Sequence, residues 1–179
     1  LVTILLKRID LNINMKGHYI TKNNDCKFDR LSEEIDEEKT ALSIAISKDD
    51  IKIIELLIQR NDININLKLN KQESKKFEES GSCIGAKVYK IREEKQMQRT
   101  AFHDAICHQK YDIIKLLLEI KNIDFDSKYI VHGHQWEDGD DKKPFYKGSE
   151  TKTAIELASY YNKQIIDLLN SYNKALHNK

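Results

Sequence analysis

The side chains best suited to chemistry in this chain are its histidines and cysteines. His103 and His108 stand five residues apart with Cys107 between them. His132-Gly133-His134 sets two imidazoles on one short segment, with Asp138 nearby. Imidazole, thiolate and carboxylate are the groups that hold zinc or nickel, and a structural zinc site needs four of them. Neither grouping supplies a complete set. The His-x-His segment is the better candidate, and a turn that merely contains two histidines is the plain alternative. No nucleophile–base spacing, phosphate-cradling loop or His-Glu-x-x-His pattern occurs. The sequence therefore points away from an enzyme, and no cofactor or metal is implied.

Composition narrows the partner classes. The 179 residues carry a net charge of +1, whereas a nucleic-acid-binding domain is expected to be basic. No apolar run reaches the length of a membrane span, and no signal-peptide pattern opens the chain. Cys26, Cys83 and Cys107 are odd in number and irregularly spaced, which reads as free thiols in a reducing, intracellular and cytoplasmic setting. Composition alone names no partner, so the elements that build the chain's surface matter most.

Those elements repeat. Thr40-Ala41-Leu42-Ser43-Ile44-Ala45 is followed by Ile53-Ile54-Glu55-Leu56-Leu57. Thr100-Ala101-Phe102-His103-Asp104-Ala105 is followed by Ile113-Ile114-Lys115-Leu116-Leu117. Thr153-Ala154-Ile155-Glu156-Leu157-Ala158 is followed by Ile165-Ile166-Asp167-Leu168-Leu169. A partial copy, Leu1-Val2-Thr3-Ile4-Leu5-Leu6, opens the chain. In the first full copy apolar residues at i, i+3 and i+4 (Leu42, Ala45, Ile46) make the stripe of an amphipathic helix, and a second helix repeats the pattern in Ile53, Ile54, Leu56 and Leu57. Each threonine is a candidate N-cap, and Thr153 with Glu156 forms a capping box. One helix pair cannot bury both stripes, so neighbours must stack.

These copies resemble ankyrin repeats, whose signature is T-P-L-H-x-A. Asp10-Leu11-Asn12, Asp62-Ile63-Asn64 and Asn122-Ile123-Asp124 match the turn that follows the family's second helix. The resemblance covers about half the chain. Alanine replaces the proline after each threonine, and it suits a first helical turn. The glycine between the helices is replaced by Asp49, Gln109 and Asn162; Asp and Asn tolerate a left-handed turn better than Gln. The last copy is one residue shorter there, so its bend must differ. His103 falls on the signature histidine, which the resemblance makes a structural hydrogen-bonding residue.

The spacing departs from the family. Thr40 to Thr100 is 60 residues and Thr100 to Thr153 is 53, against about 33 in the family. The surplus falls where ankyrin repeats carry their β-hairpin finger. The expectation is an all-α, ankyrin-like helical solenoid with extended β-hairpin or loop insertions, a single domain over 1–179. Its parts are a partial repeat at 1–14, second helix only, repeats at 40–66 and 100–126, and a C-terminal repeat at 153–175. Finger insertions fall at 15–39, 67–99 and 127–152. Finger one has an acidic second half, Glu33 to Glu38. Finger two ends in the basic Lys87 to Arg92, with strand alternation over Val88 to Ile91 and a turn at Gly81-Ser82. Finger three holds Tyr129, Trp136, Phe145 and Tyr146, with a turn at Gly139-Asp140. Its aromatics either contact a partner or pack the hairpin onto its own repeat.

The resemblance implies a protein-recognition module whose concave face is built from the first helices and finger tips. Matched by position, that face displays Ser47, Lys48, Cys107, His108, Tyr160 and Tyr161. Lys39, Arg99 and Lys152 precede the three threonines on the same surface, and Trp136 stands on its finger. The tyrosines are the favoured anchors, because Tyr offers rigid contact area at low entropic cost. The second reading is an architectural spacer or self-association segment of a longer array. The apolar Leu1, Val2, Ile4 and Leu5 favour it, since terminal repeats normally present a polar outer face.

Overall fold

The computed structural model describes residues 8, 10–25, 30–79, 89–120, 122–137 and 146–177. The elements run β1 (Gly17–Asp25), β2 (Arg30–Lys39), α1 (Ala41–Ser47), α2 (Ile51–Ile58), β3 (Leu69–Glu79), β4 (Tyr89–Arg99), α3 (Ala101–Cys107), α4 (Tyr111–Leu118), β5 (Tyr129–Glu137), β6 (Tyr146–Lys152), α5 (Ala154–Ala158) and α6 (Lys163–His177). The motif strand, strand, helix, helix thus occurs three times.

Each first helix starts where its threonine stops the preceding strand. Thr40 N–H donates to Ser43 Oγ at 2.9 Å, and Ser43 N–H donates back to Thr40 Oγ1 at 3.3 Å. Thr153 and Glu156 exchange bonds of 2.7 and 3.2 Å in the same way. In the middle repeat His103 takes the reciprocal role, its Nδ1 accepting from Thr100 N–H at 3.1 Å. Two orphan amides of the first turn are satisfied locally in this arrangement. The bends between helices follow the substituted glycine slot: Asp49 and Gln109 hold φ of 59° and 55°. The shorter third bend has no such residue; there Asn162 Oδ1 accepts from Gln164 N–H at 2.8 Å.

The helix pairs stack into one core. Leu42, Ile46, Ile54 and Leu57 meet Phe102, Ala105, Ile106, Ile114 and Leu117, which meet Ala154, Leu157, Ala158, Ile165 and Leu169. Phe125 bridges the second and third pairs, with ring centroids 6.3 Å from Phe102 and 5.6 Å from Tyr172. Burying an Ile or Leu stabilises by about 1.5–3 kcal/mol, so the stack depends on every pair being present.

Successive turns are stitched by asparagine. Asn14 Nδ2 donates to Asp62 O at 2.7 Å while its Oδ1 accepts from Asn64 N–H at 2.7 Å. Asn66 repeats the pattern one step on, to Asn122 O at 2.6 Å and from Asp124 N–H at 2.8 Å. A carboxamide can donate and accept at once, so a single side chain sets the spacing of two repeats.

The all-α expectation is overturned. The three hairpins pair side by side into one six-stranded antiparallel sheet of order β1-β2-β3-β4-β5-β6. Hairpins join edge to edge at two seams, Glu37 opposite Lys71 and Ile35 opposite Glu73 at the first, Met97 opposite Val131 at the second. Strands this long each leave a row of unpaired amides if isolated, so adjacent fingers satisfy one another's backbone. His132 and His134, treated above as part of a turn, lie inside β5 on one face of the sheet. Ion pairs reinforce the strands, including Lys75–Glu33 at 2.8 Å across the first seam.

Candidate recognition surface

The sheet has two faces, and only one meets the helices. Leu69 lies opposite Arg99, and Tyr129 lies opposite Lys152. Leu69 and Arg99 are buried. Tyr129 sets its ring 5.9 Å from His103 and donates from its hydroxyl to Met97 Sδ at 3.5 Å. Lys152 Nζ lies 4.1 Å from the Tyr160 ring centroid. This inner face and the ends of α1, α3 and α5 therefore form one continuous surface.

The sequence-derived residues fall into three groups on it. Tyr160 and Tyr161, just past α5, are 66% and 42% exposed. Ser47, Lys48 and His108 are exposed at the same place in the earlier repeats, and Cys107 is half-buried. Burial pushes the Cys107 thiol up, against a hydrogen bond from Tyr161 that lowers it. Burial likewise raises the Tyr161 hydroxyl. Cys107 is a free thiol, and its raised pKa disfavours the thiolate form that a nucleophile needs. Lys39 and Lys152 reach this surface, each held by a neighbouring carboxylate, Glu37 at 2.9 Å and Glu150 in turn.

Arg99 does not belong to the exposed set. It is 6% exposed and pairs with Glu37 of β2 and Asp104 of α3. Its Nη1 has no hydrogen-bond partner. Burial raises the Asp104 carboxyl pKa, opposed by the Arg99 charge. For Glu37 burial acts upward but the Lys39 bond and the Arg99 charge outweigh it, leaving the carboxyl lowered. Arg99 is thus a clamp between finger one, finger two and the middle first helix. Trp136 lies in β5 opposite Arg92; Phe145, Asp138, Cys26, Cys83, Leu1, Val2, Ile4, Leu5, Gly81-Ser82, Val88 and Gly139-Asp140 lie outside the described residues.

His103 is buried, 1% exposed. Its Nδ1 accepts from Thr100 N–H, so its Nε2 carries the proton and donates to Ser127 O at 3.1 Å. Burial pulls its pKa down to about 4, against the raising effect of the Ser127 carbonyl. The imidazole is neutral at pH 7 and joins the middle helix to the start of finger three. Among the described residues no group of three or more His, Cys, Asp and Glu is placed to hold a metal ion.

The outer face of the sheet carries a feature the sequence reading missed, an open groove of about 530 Å³ lined by His18, Asp36, Gln72, Gln96 and His132 among others. The four named from Asp36 to His132 lie in one cross-strand row. Only register, which is invisible in the linear sequence, brings them together.

A family model described as ankyrin repeats (3 copies) matches residues 1–129. No curated protein and no solved structure matches the chain. Among the described residues no helix is long and apolar enough to cross a membrane.

Proposed function

The chain belongs to the ankyrin-repeat family, and from that premise we propose that it recognises another protein on the surface formed by its first helices and the inner face of its sheet. Ankyrin repeats are generally protein–protein interaction modules and generally non-catalytic. The observation that carries the reading is the exposed pair Tyr160 and Tyr161 at the corner where α5 meets the sheet. Two adjacent tyrosines stand clear of the core while most large apolar side chains nearby are buried. Tyrosine is among the residue types enriched in binding anchors.

Lys48 and His108 repeat the position at the ends of α1 and α3. A partner that offers carboxylates beside an apolar patch complements this row of cation, imidazole and phenol. A reducing, intracellular setting suits the free Cys107 thiol beside the tyrosines. The test is affinity capture from the source cell with the intact chain and with the Tyr160→Ala/Tyr161→Ala variant, each checked for folding by circular dichroism. A protein retained by the first and lost by the second supports the reading. Equal retention by both sinks it.

A further inference from the structure

The groove on the outer face of the sheet presents uncharged donors and acceptors. Gln72 lies opposite Gln96, which lies opposite His132, and Asn70 lies opposite Gln98 one pleat away. Alternation by two along β3, β4 and β5 puts all five on one face. These are interior strands of the sheet, so the strip involves neither edge. One end of it is fixed by hydrogen bonds. Glu38 Oε2 accepts from Lys16 Nζ at 3.0 Å, from Asn70 N–H at 2.8 Å and from Asn70 Nδ2 at 3.0 Å. Asn70 Oδ1 in turn accepts from Gln98 Nε2 at 3.3 Å.

The charges along the groove are already matched. His18 Nδ1 lies 3.1 Å from Asp36 Oδ1, Glu38 is held by Lys16, and Lys71 Nζ lies 2.6 Å from Glu73. An ionic ligand finds no uncommitted counter-charge there. The carboxamides of Gln72 and Gln96 and the imidazole of His132 are exposed. A carboxamide donates and accepts at once, and so does a hydroxyl. Adjacent strands stand about 4.8 Å apart, close to the span between hydroxyls on opposite sides of one pyranose ring. Ile130, two residues before His132 on the same face, lines the groove and gives the C–H face of such a ring an apolar contact. The volume of about 530 Å³ falls within the range of small-ligand sites. We propose that this groove binds a neutral carbohydrate, with its hydroxyls held by Gln72, Gln96 and His132. The site is separate from the inner face assigned above to a protein partner.

The groove is open, and among the described residues no Phe, Tyr or Trp lines it. Binding is therefore weak, with a dissociation constant on the order of millimolar. Heteronuclear NMR of the intact chain reads it through backbone and side-chain amide signals. The probes are cellotriose, maltotriose and chitotriose, with sodium glucuronate and an uncharged asparagine–glutamine peptide as competitors of other chemistry. One trisaccharide should give saturable shifts centred on the side-chain amides of Gln72 and Gln96. Gln72→Val/Gln96→Val removes both carboxamides while valine keeps the strand preference, and it should raise the dissociation constant about tenfold or more. Gln96→Thr, a single exposed change, should raise it about threefold and serves if the double variant fails to fold. Lys115→Ala, on α4, should leave it unchanged. Each variant is checked by its backbone signals away from the sheet. The proposal is overturned if no trisaccharide gives a saturable shift up to about 20 mM. Shifts that persist unchanged in the glutamine variants overturn it too, as does tighter binding of glucuronate or of the peptide.

Discussion

His103 makes the pH dependence of folding predictable in sign and size. In the unfolded chain its imidazole takes a proton with a pKa near 6.5; in the fold it does so only at about 4. Between those values the unfolded state binds more protons, so stability must fall as pH drops from about 7 to 4 and level off below. The gap between 6.5 and about 4, at about 1.4 kcal/mol per pH unit, corresponds to ~3 kcal/mol. Lowered carboxylates such as Glu37 and Glu38 also lose stability toward acid, so a single profile does not isolate the histidine. His103→Gln does. Glutamine is neutral at all pH and can keep one of the two bonds, to Thr100 N–H or Ser127 O. At pH 7 the variant should be less stable by about 1–2 kcal/mol, one buried hydrogen bond and some packing. Urea denaturation of both chains at half-unit steps from pH 7.5 to about 3.5 gives the difference curve. That difference should fall by ~3 kcal/mol toward pH 4 and so reverse sign, the variant becoming the more stable chain. A difference that stays flat across the range refutes the buried, neutral imidazole.

Other substitutions test the remaining devices. Arg99→Met leaves Glu37 and Asp104 without their shared cation and should cost about 3–5 kcal/mol in chemical denaturation; adding Asp104→Asn should restore part of the loss, and no restoration contradicts the clamp. Asn66→Ala removes the two bonds to the next turn and should cost about 1–2 kcal/mol at an exposed site, read as a lowered melting temperature. Gln109→Gly relieves a left-handed backbone and should raise stability by about 1 kcal/mol; an unchanged or lower melting temperature refutes the strain.

The first helix of each pair was legible because a threonine cap announces it, and Ala41, Ala101 and Ala154 begin the three; the second helices were legible from their stripe at helical spacing. The left-handed bend at Asp49 and Gln109 followed from the glycine slot they occupy, and the altered third bend from the missing residue. The sheet was not legible. Segments such as Glu33-Glu34-Ile35-Asp36-Glu37-Glu38 and Lys71-Gln72-Glu73-Ser74-Lys75 show no apolar face, because both faces of these long strands are polar. What holds them is backbone pairing and cross-strand charge, Glu33 with Lys75 for example, and that is visible only once register is known. Arg99 misled for a related reason. An arginine before a helix cap reads as surface, and its only signal was Asp104 five residues on, absent from the other two copies. Matching positions between copies singled out Tyr160 and Tyr161, and both are exposed just past α5, since repetition carries geometry from one unit to the next.

The central claim is that partner binding uses the corner where the first helices meet the inner face of the sheet. Isothermal titration of the captured partner tests it most directly, using the intact chain, Tyr160→Ala/Tyr161→Ala, and Lys52→Ala/Lys115→Ala on the exposed side of the second helices. Loss of a true anchor costs about 2 kcal/mol or more, so the tyrosine variant should bind about thirtyfold more weakly, while the lysine variant binds as the parent does. Unchanged affinity in the tyrosine variant together with lost binding in the lysine variant contradicts the account.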